Sequence, residues 1–232
     1  MVFIIGEIGV NWNGNFELAR EMMENAKKAG CNAVKFQAFH YDMVKNHPKS
    51  LLLTETTISK KNVESINELS KSVGIEWFCT PMYPEAVDFL DPYVKRFKVR
   101  EIDGRHLLEN KTTPLIDRVF ETDKEVIVSS QISPRNCKYF NSQKIKWLYC
   151  IPKYPCQLEE IDFSNLRDFH GFSNHSPQII APLMATILGA TMLEVHITSS
   201  KSSEFIDNNV SLDYTDLKEL ISLIRQSEKI KK

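Results

Sequence analysis

His175 and His196 are the residues of this chain whose types and spacing most directly suggest chemistry. Each closes a short apolar run, in GFSNHS (171–176) and in EVHITSS (194–200), and a helical stretch over 178–188 separates them. If the two runs are neighbouring parallel strands, both imidazoles open onto one rim of a barrel. Two neutral ring nitrogens there can share a divalent metal ion. Taken singly, each histidine also fits a hydrogen-bonded core role. Taken together, with Glu7 and Asp207 available as oxygen ligands or as partners for a substrate, they read as a metal site.

The ends of the other apolar runs are polar as well. Glu7 and Asn11 follow the first run, Lys35 and Gln37 alternate at the end of the second, and Thr80 ends the third. Lys98 lies on the fourth, Ser129 and Ser130 end the fifth, and Lys153 and Tyr154 follow the sixth. Ser173 precedes His175, and Glu194 shares the eighth run with His196. Lone strand lysines usually snorkel to water, and strand-end serines often cap the next helix. Two lysines, two serines and a threonine converging on one mouth instead make a cradle for a small phosphorylated, carboxylated molecule.

The elements that would position these groups alternate along the chain. Strands are expected at 2–5, 33–36, 77–79, 97–99, 126–128, 146–149, 171–172 and 192–195. Helices are expected at 15–29, capped by Asn15 and ended by Gly30, from 59 or 60 to 73, and at 84–90. Others are expected near 107–110 or 114–120, over 178–188 and over 214–229, with a modest one after Pro134 and a weak or missing one after the sixth strand. Eight βα units in order predict a closed (β/α)8 TIM barrel, a minimal single domain over 1–232. An open doubly wound sheet is the structural alternative, and no glycine-rich first turn supports its nucleotide-binding versions.

Bulk properties narrow the function classes. The chain has 232 residues, 42% hydrophobic content and a formal net charge of -1, which gives no general reason for nucleic-acid or membrane binding. Five cysteines without metal-type spacing fit a reducing compartment, and Cys31, Cys79 and Cys150 read as packing residues. With neither a leader-like start nor a membrane-length apolar run, the expectation is a cytoplasmic protein.

The motifs resemble those of the sialic acid synthase family. GEIGVNWNG (6–14) resembles its Ala-Glu-x-Gly-x-Asn-His-Asn-Gly pattern, AVKFQAF (33–39) its Lys-Phe-Gln strand, and WFCTPM (77–82) its Ser/Cys-Thr-Pro strand. WLYCIPKYP (147–155), GFSNHS, EVHITSS and FIDNNVSL (205–212) are similar to its Tyr-Pro turn, its two histidine strands and its late Asp-His loop. The resemblance implies condensation of phosphoenolpyruvate with N-acetylmannosamine or a related amino-sugar aldehyde, giving a nonulosonic acid and phosphate. It implies a divalent cation, manganese, on His175 and His196. Lys35, Thr80, Lys98, Ser129 and Ser173 would contact phosphoenolpyruvate, and Glu7 and Asp207 the sugar, with Tyr154 shaping the pocket. Glu7, Lys35, Lys98 and Glu194 form the expected catalytic set, and Asn11 and Gln37 join the substrate-binding one.

Several positions depart from the family pattern: Trp12, Asn174, Val195 and Asn208 replace its His, Asp, Lys and His, and Lys153 stands where an Asn is common. Arg100 and Glu101 replace a small residue and a serine after Lys98. The family also carries a small C-terminal antifreeze-like domain that reaches into a partner's sugar site. This sequence is read as the barrel alone, with a homodimer or a separate sugar-binding partner as the implied assembly. Two other readings stay open: a Schiff-base aldolase using Lys35 or Lys98, and a ligand-binding barrel without turnover.

Overall fold

The computed structural model describes residues 1–230. Apolar runs become strands and amphipathic runs become helices. The first half holds β1 (Phe3–Gly9), α1 (Phe16–Ala29), β2 (Ala33–Ala38), α2 (Tyr41–Val44), α3 (Ser50–Thr56) and α4 (Val63–Val73). It continues through β3 (Glu76–Pro81), α5 (Pro84–Leu90), β4 (Arg96–Val99), α6 (Glu101–Leu108) and α7 (Pro114–Glu121). The second half holds β5 (Glu125–Ser130), β6 (Ile145–Cys150), β7 (Gly171–Asn174), α8 (Ile180–Ile187), β8 (Met192–His196) and α9 (Tyr214–Ser227). The strands are all parallel and close into a barrel in sequence order, β1 pairing with β8.

Local chemistry explains the boundaries. The Asn15 side chain accepts hydrogen bonds from the Glu17 and Leu18 amides and so starts α1, and Gly30 in the left-handed region ends it. Ala19, Met22, Met23 and Ala26 recur at helical spacing and are the buried face of α1. Between β5 and β6 there is only a single 3-10 turn, Pro134–Asn136, and two more, Leu158–Glu160 and Leu166–Asp168, lie between β6 and β7. On that flank an aromatic cluster covers the barrel in place of a helix: Tyr149 stacks on Phe172, meets Phe163 edge-on and lies tilted against Phe169.

The strands run further than the apolar pattern alone indicates. β1 continues to Gly9, so Glu7 stands inside a strand, and Gln37 and Thr80 likewise lie within β2 and β3. A buried polar residue interrupts hydropathy without interrupting the ladder, and this is why sequence periodicity stops early. Two short helices, α2 and α3, occupy a stretch with no sequence expectation, and the fourth unit carries both α6 and α7. His106 lies in the last turn of α6.

Side chains alternate across each strand with period two. Residues two positions before Glu7, Thr80, Ser129 and Cys150 therefore share their side of the sheet. These are Ile5, Phe78, Ile127 and Leu148, all wholly buried. The barrel interior is thus an apolar floor under a polar layer at the C-terminal strand ends. That floor lowers the dielectric beneath the charges above it.

Candidate active site

The polar layer lines a cavity of about 500 Å³ at the C-terminal end of the barrel. Glu7, Lys35, Gln37, Thr80, Lys98, Ser129, Tyr154, Ser173, His175, Glu194, His196 and Asp207 all line it. These are the expected site residues except one. Asn11 is wholly buried outside the cavity: its Nδ2 donates to the Ile197 carbonyl and to Ser211 Oγ, both at 3.0 Å, and its Oδ1 accepts from the Asp207 amide. Its amide ties the β1 end to the segment after β8, so it positions Asp207 and does not face a substrate.

The centre of the site is a chain of charges. Lys35 Nζ lies 2.7 Å from Glu7 Oε2, donates to Thr80 Oγ1 at 2.9 Å, and stands 3.8 Å from Glu194 Oε1. Lys98 Nζ donates to Glu194 Oε1 at 3.0 Å, and Ser173 Oγ donates to the same oxygen at 3.1 Å. Gln37 Nε2 donates to Glu7 Oε1 at 2.8 Å. Glu194 Oε2 is left without a hydrogen-bond partner.

Burial acts on both carboxylates, and the two respond differently. Burial would raise Glu194, but Lys35 and Lys98 outweigh it and pull the carboxyl down to about 2. Glu7 shares only Lys35, so burial prevails and pushes it up to about 7. Burial alone would lower Lys35, yet Glu194 and Glu7 hold its ammonium above the usual lysine range. Glu194 is therefore the fixed anion of the cluster, and Glu7 is the group able to exchange a proton near neutral pH.

The two imidazoles stand next to this cluster, with ring centroids 5.3 Å apart. The β7–β8 ladder pairs Ser173 with Glu194, which brings the ends of the two strands together. His175 Nδ1 lies 2.7 Å from the Ile151 carbonyl; donating there leaves its Nε2 as an acceptor, 2.7 Å from the Tyr154 hydroxyl. His196 Nε2 is 3.8 Å from Asp207 Oδ2. Burial drives His175 down to about 4, and burial with the neighbouring His175 drives His196 well below the usual histidine value. Burial also lifts Asp207 to about 6.

No group of three or more His, Cys, Asp and Glu side chains stands in metal-holding geometry among the described residues. The donor chemistry nonetheless fits a divalent cation. Both rings are held in the neutral form a ligand needs, and His175 is oriented through its other nitrogen by a backbone carbonyl. Asp207 supplies an oxygen beside His196.

Sequence reasoning missed part of the lining. Cys150, read as a packing residue, lines the cavity with Sγ 3.8 Å from His175 Nδ1, and burial pushes its thiol up to about 12. Arg105 and His47 also line the mouth. Arg105 pairs with Glu101, Nη2 lying 2.9 Å from Oε2, and their spacing of four on a helix was the available signal for that ion pair. Of the departures, Trp12 is a core residue: it is 1% exposed, donates to the Thr56 carbonyl and packs edge-on against Phe36. Lys153 pairs with Glu160 away from the cavity.

Comparison with known proteins gives the family and the fold. The model of the NeuB family matches residues 22–232. The chain belongs to that family. It is 29% identical to the N,N'-diacetyllegionaminic acid synthase of Legionella pneumophila over 98% of this chain and 72% of the relative. It is 26% identical to the human N-acetylneuraminate-9-phosphate synthase over 98% of this chain and 70% of the relative. Among solved structures, the N-acetylneuraminic acid synthetase of Leptospira borgpetersenii, in complex with citrate, superposes with a TM-score of 0.84 at 26% identity, covering 98% of this chain and 84% of that one. The expected barrel is therefore the observed one. No helix among the described residues is long and apolar enough to cross a membrane.

Proposed function

We infer that this NeuB-family chain condenses phosphoenolpyruvate with the aldehyde of an amino sugar, N-acetylmannosamine or a related one, to give a nonulosonic acid and phosphate. One observation carries the reading: two lysine–carboxylate pairs and two neutral imidazoles share one cavity. Relatives named as synthases of three such acids support it.

In this reading Lys35 and Lys98, with the hydroxyls of Thr80, Ser129 and Ser173, hold the carboxylate and phosphate of phosphoenolpyruvate. His175 and His196, with Asp207 in reach, hold a divalent cation, manganese. When bound, that ion polarises the sugar carbonyl as a Lewis acid. The methylene carbon of phosphoenolpyruvate forms the new bond to the aldehyde carbon, and positive charge develops at the neighbouring carbon that bears the phosphate. Glu194, held ionised, faces that charge. Water adds there, and Glu7 takes its proton and returns one as phosphate departs with its bridging oxygen.

The aldolase alternative needs a neutral amine. The carboxylates around Lys35 hold it as an ammonium, which works against an imine at that residue.

The test supplies Mn²⁺, phosphoenolpyruvate labelled with ¹⁸O at its bridging oxygen, and a panel of amino-sugar aldehydes. The expected result is phosphate release with the label in phosphate, and loss of Mn²⁺ binding by calorimetry in His175→Ala and His196→Ala. Metal-loaded protein that turns over no aldehyde of the panel would reduce the chain to a binding barrel. Label retained in the sugar product would refute the carbon–oxygen cleavage.

A further inference from the structure

Among the described residues, the lysines and arginines lining the cavity are already paired with carboxylates of the same chain. Lys35 pairs with Glu7, Lys98 with Glu194, Arg100 with Asp103 and Arg105 with Glu101. A phosphomonoester entering this bowl finds no unpaired cation: Lys98 can share its remaining N–H donors while it keeps Glu194, but a further full positive charge is freed only if a pair opens.

The four pairs differ in how freely they can do so. The strand-borne pairs have side chains at most 5% exposed on either partner. Opening one of them strands a charge in a low-dielectric interior. The Arg105 side chain is 56% exposed, whereas that of its partner Glu101 is only 8% exposed. An exposed guanidinium therefore rests on a buried carboxylate. Arg105 Nε sits 3.0 and 3.1 Å from the two Glu101 oxygens, and Nη2 lies 2.9 Å from Oε2. Its Nη1 edge is left for another oxygen anion.

The wall around Glu101 suits an anion. Glu101 is the first residue of α6, an eight-residue helix whose first-turn amides have no intrahelical partner. Gly104 lets α6 lie close on β5, since a methyl there would sit 2.8 Å from Val128 Cγ1 and 2.9 Å from the Ser129 carbonyl. Ser129 Oγ, in a residue 2% exposed, lines the same cavity with no hydrogen-bond partner beyond the weakly polar Cys150 thiol beside it. An open, buried hydroxyl next to a helix start is a donor awaiting an acceptor.

We propose that Glu101 is the resting occupant of a phosphomonoester subsite at the β4–α6 corner, and that Arg105 transfers from Glu101 to the phosphate when the ligand enters. The inference rests on the proposed function for the source of the phosphate, which is either phosphoenolpyruvate or a phosphorylated amino sugar. The recognition chemistry is the same for both.

The experiment is calorimetric titration of the metal-free full chain with inorganic phosphate, phosphoenolpyruvate and an amino-sugar 6-phosphate. It compares wild type with Glu101→Gln, Arg105→Ala and Arg105→Lys, and thermal unfolding verifies the fold of each. Glu101→Gln removes the competing anion and is expected to tighten phosphate about tenfold. Arg105→Ala is expected to weaken it about tenfold, the worth of one charge-assisted pair. Arg105→Lys restores only part, because an ammonium lacks the bidentate fork.

A loss in Arg105→Ala confined to phosphoenolpyruvate, or to the sugar phosphate, assigns the source. A folded Glu101→Gln that tightens none of the three ligands overturns the proposal, as does an Arg105→Ala that weakens none or wild type that binds none. Should Glu101→Gln unfold, Arg105→Ala decides alone. Turnover of aldehyde without any of these variant effects overturns the subsite only. Phosphate binding with the expected variant effects, but no turnover, refutes the proposed reaction and leaves the subsite standing.

Discussion

Replacing Gly171 by alanine would place a methyl carbon 1.7 Å from the Met192 carbonyl oxygen and 2.6 Å from its carbonyl carbon. Real Cβ atoms essentially never approach closer than 3.0 Å, so the strands must part by about 1.3 Å or more. No rotamer change relieves the contact, because the opposing atoms are backbone. Gly171 pairs with Met192 in the β7–β8 ladder, and four residues beyond each stand His175 and His196. The substitution therefore strains the ladder that sets the spacing of the two rings. Overpacking against a side chain costs about 1–3 kcal/mol, and against an immovable carbonyl we expect about 3–5 kcal/mol. Urea unfolding measures the stability loss, and Mn²⁺ titration of the folded fraction measures the effect on the site, where affinity should fall at least tenfold. Gly6→Ala is the control. Its new methyl is tight only against the tip of the Ile197 side chain, at 3.2 Å, with Cys31 Sγ and Ala26 Cβ at ordinary contact distances of 3.6 and 3.7 Å, and about 1 kcal/mol or less is expected. A Gly171→Ala protein as stable as Gly6→Ala, with unchanged Mn²⁺ affinity, would refute the argument that this contact sets the histidine pair.

Two further outcomes follow from the buried charges. Glu194→Ala strips Lys98 of the one carboxylate it pairs with among the described residues, in a buried setting, and should destabilise the chain by about 3–5 kcal/mol in urea unfolding; Lys98→Met combined with Glu194→Leu should recover most of that, and strictly additive losses would contradict it. Stability against pH should reflect opposing groups: the unfolded chain protonates its histidines below pH 6.5 while folded His175 resists until about 4, so stability falls on acidification through that window. Folded Glu7 instead keeps a proton up to about 7 that the unfolded chain releases above 4.5, so its contribution falls as pH rises and opposes His175. Glu7→Gln should therefore steepen the slope between pH 4.5 and 6.5 by about 1.4 kcal/mol per pH unit, and a slope unchanged in unfolding measured across that range would count against the raised Glu7.

Much of the architecture was legible in the chain because it depends on local patterns. Helical periodicity and the Asn15 and Gly30 caps outlined α1 to within a residue, and the alternation of runs implied the closed barrel. Twelve of the thirteen expected site residues line the cavity, since a strand's period of two ties the direction of a side chain to its position. Asn11 was misread for a matching reason. It lies just past its strand, where the chain turns and parity no longer holds, and it bonds residues 186 and 200 positions away.

The amino-acid sequence by itself determined which residue types stand at the strand ends and that eight βα units carry them there. Only the closed barrel decided which charge answers which. Lys98 meets Glu194 across 96 residues, Glu7 is left to share Lys35, and Arg105 rather than any strand lysine keeps an exposed side chain. The physical reason is that electrostatic energy depends on separation and burial, quantities that exist only once the first and last strands have joined.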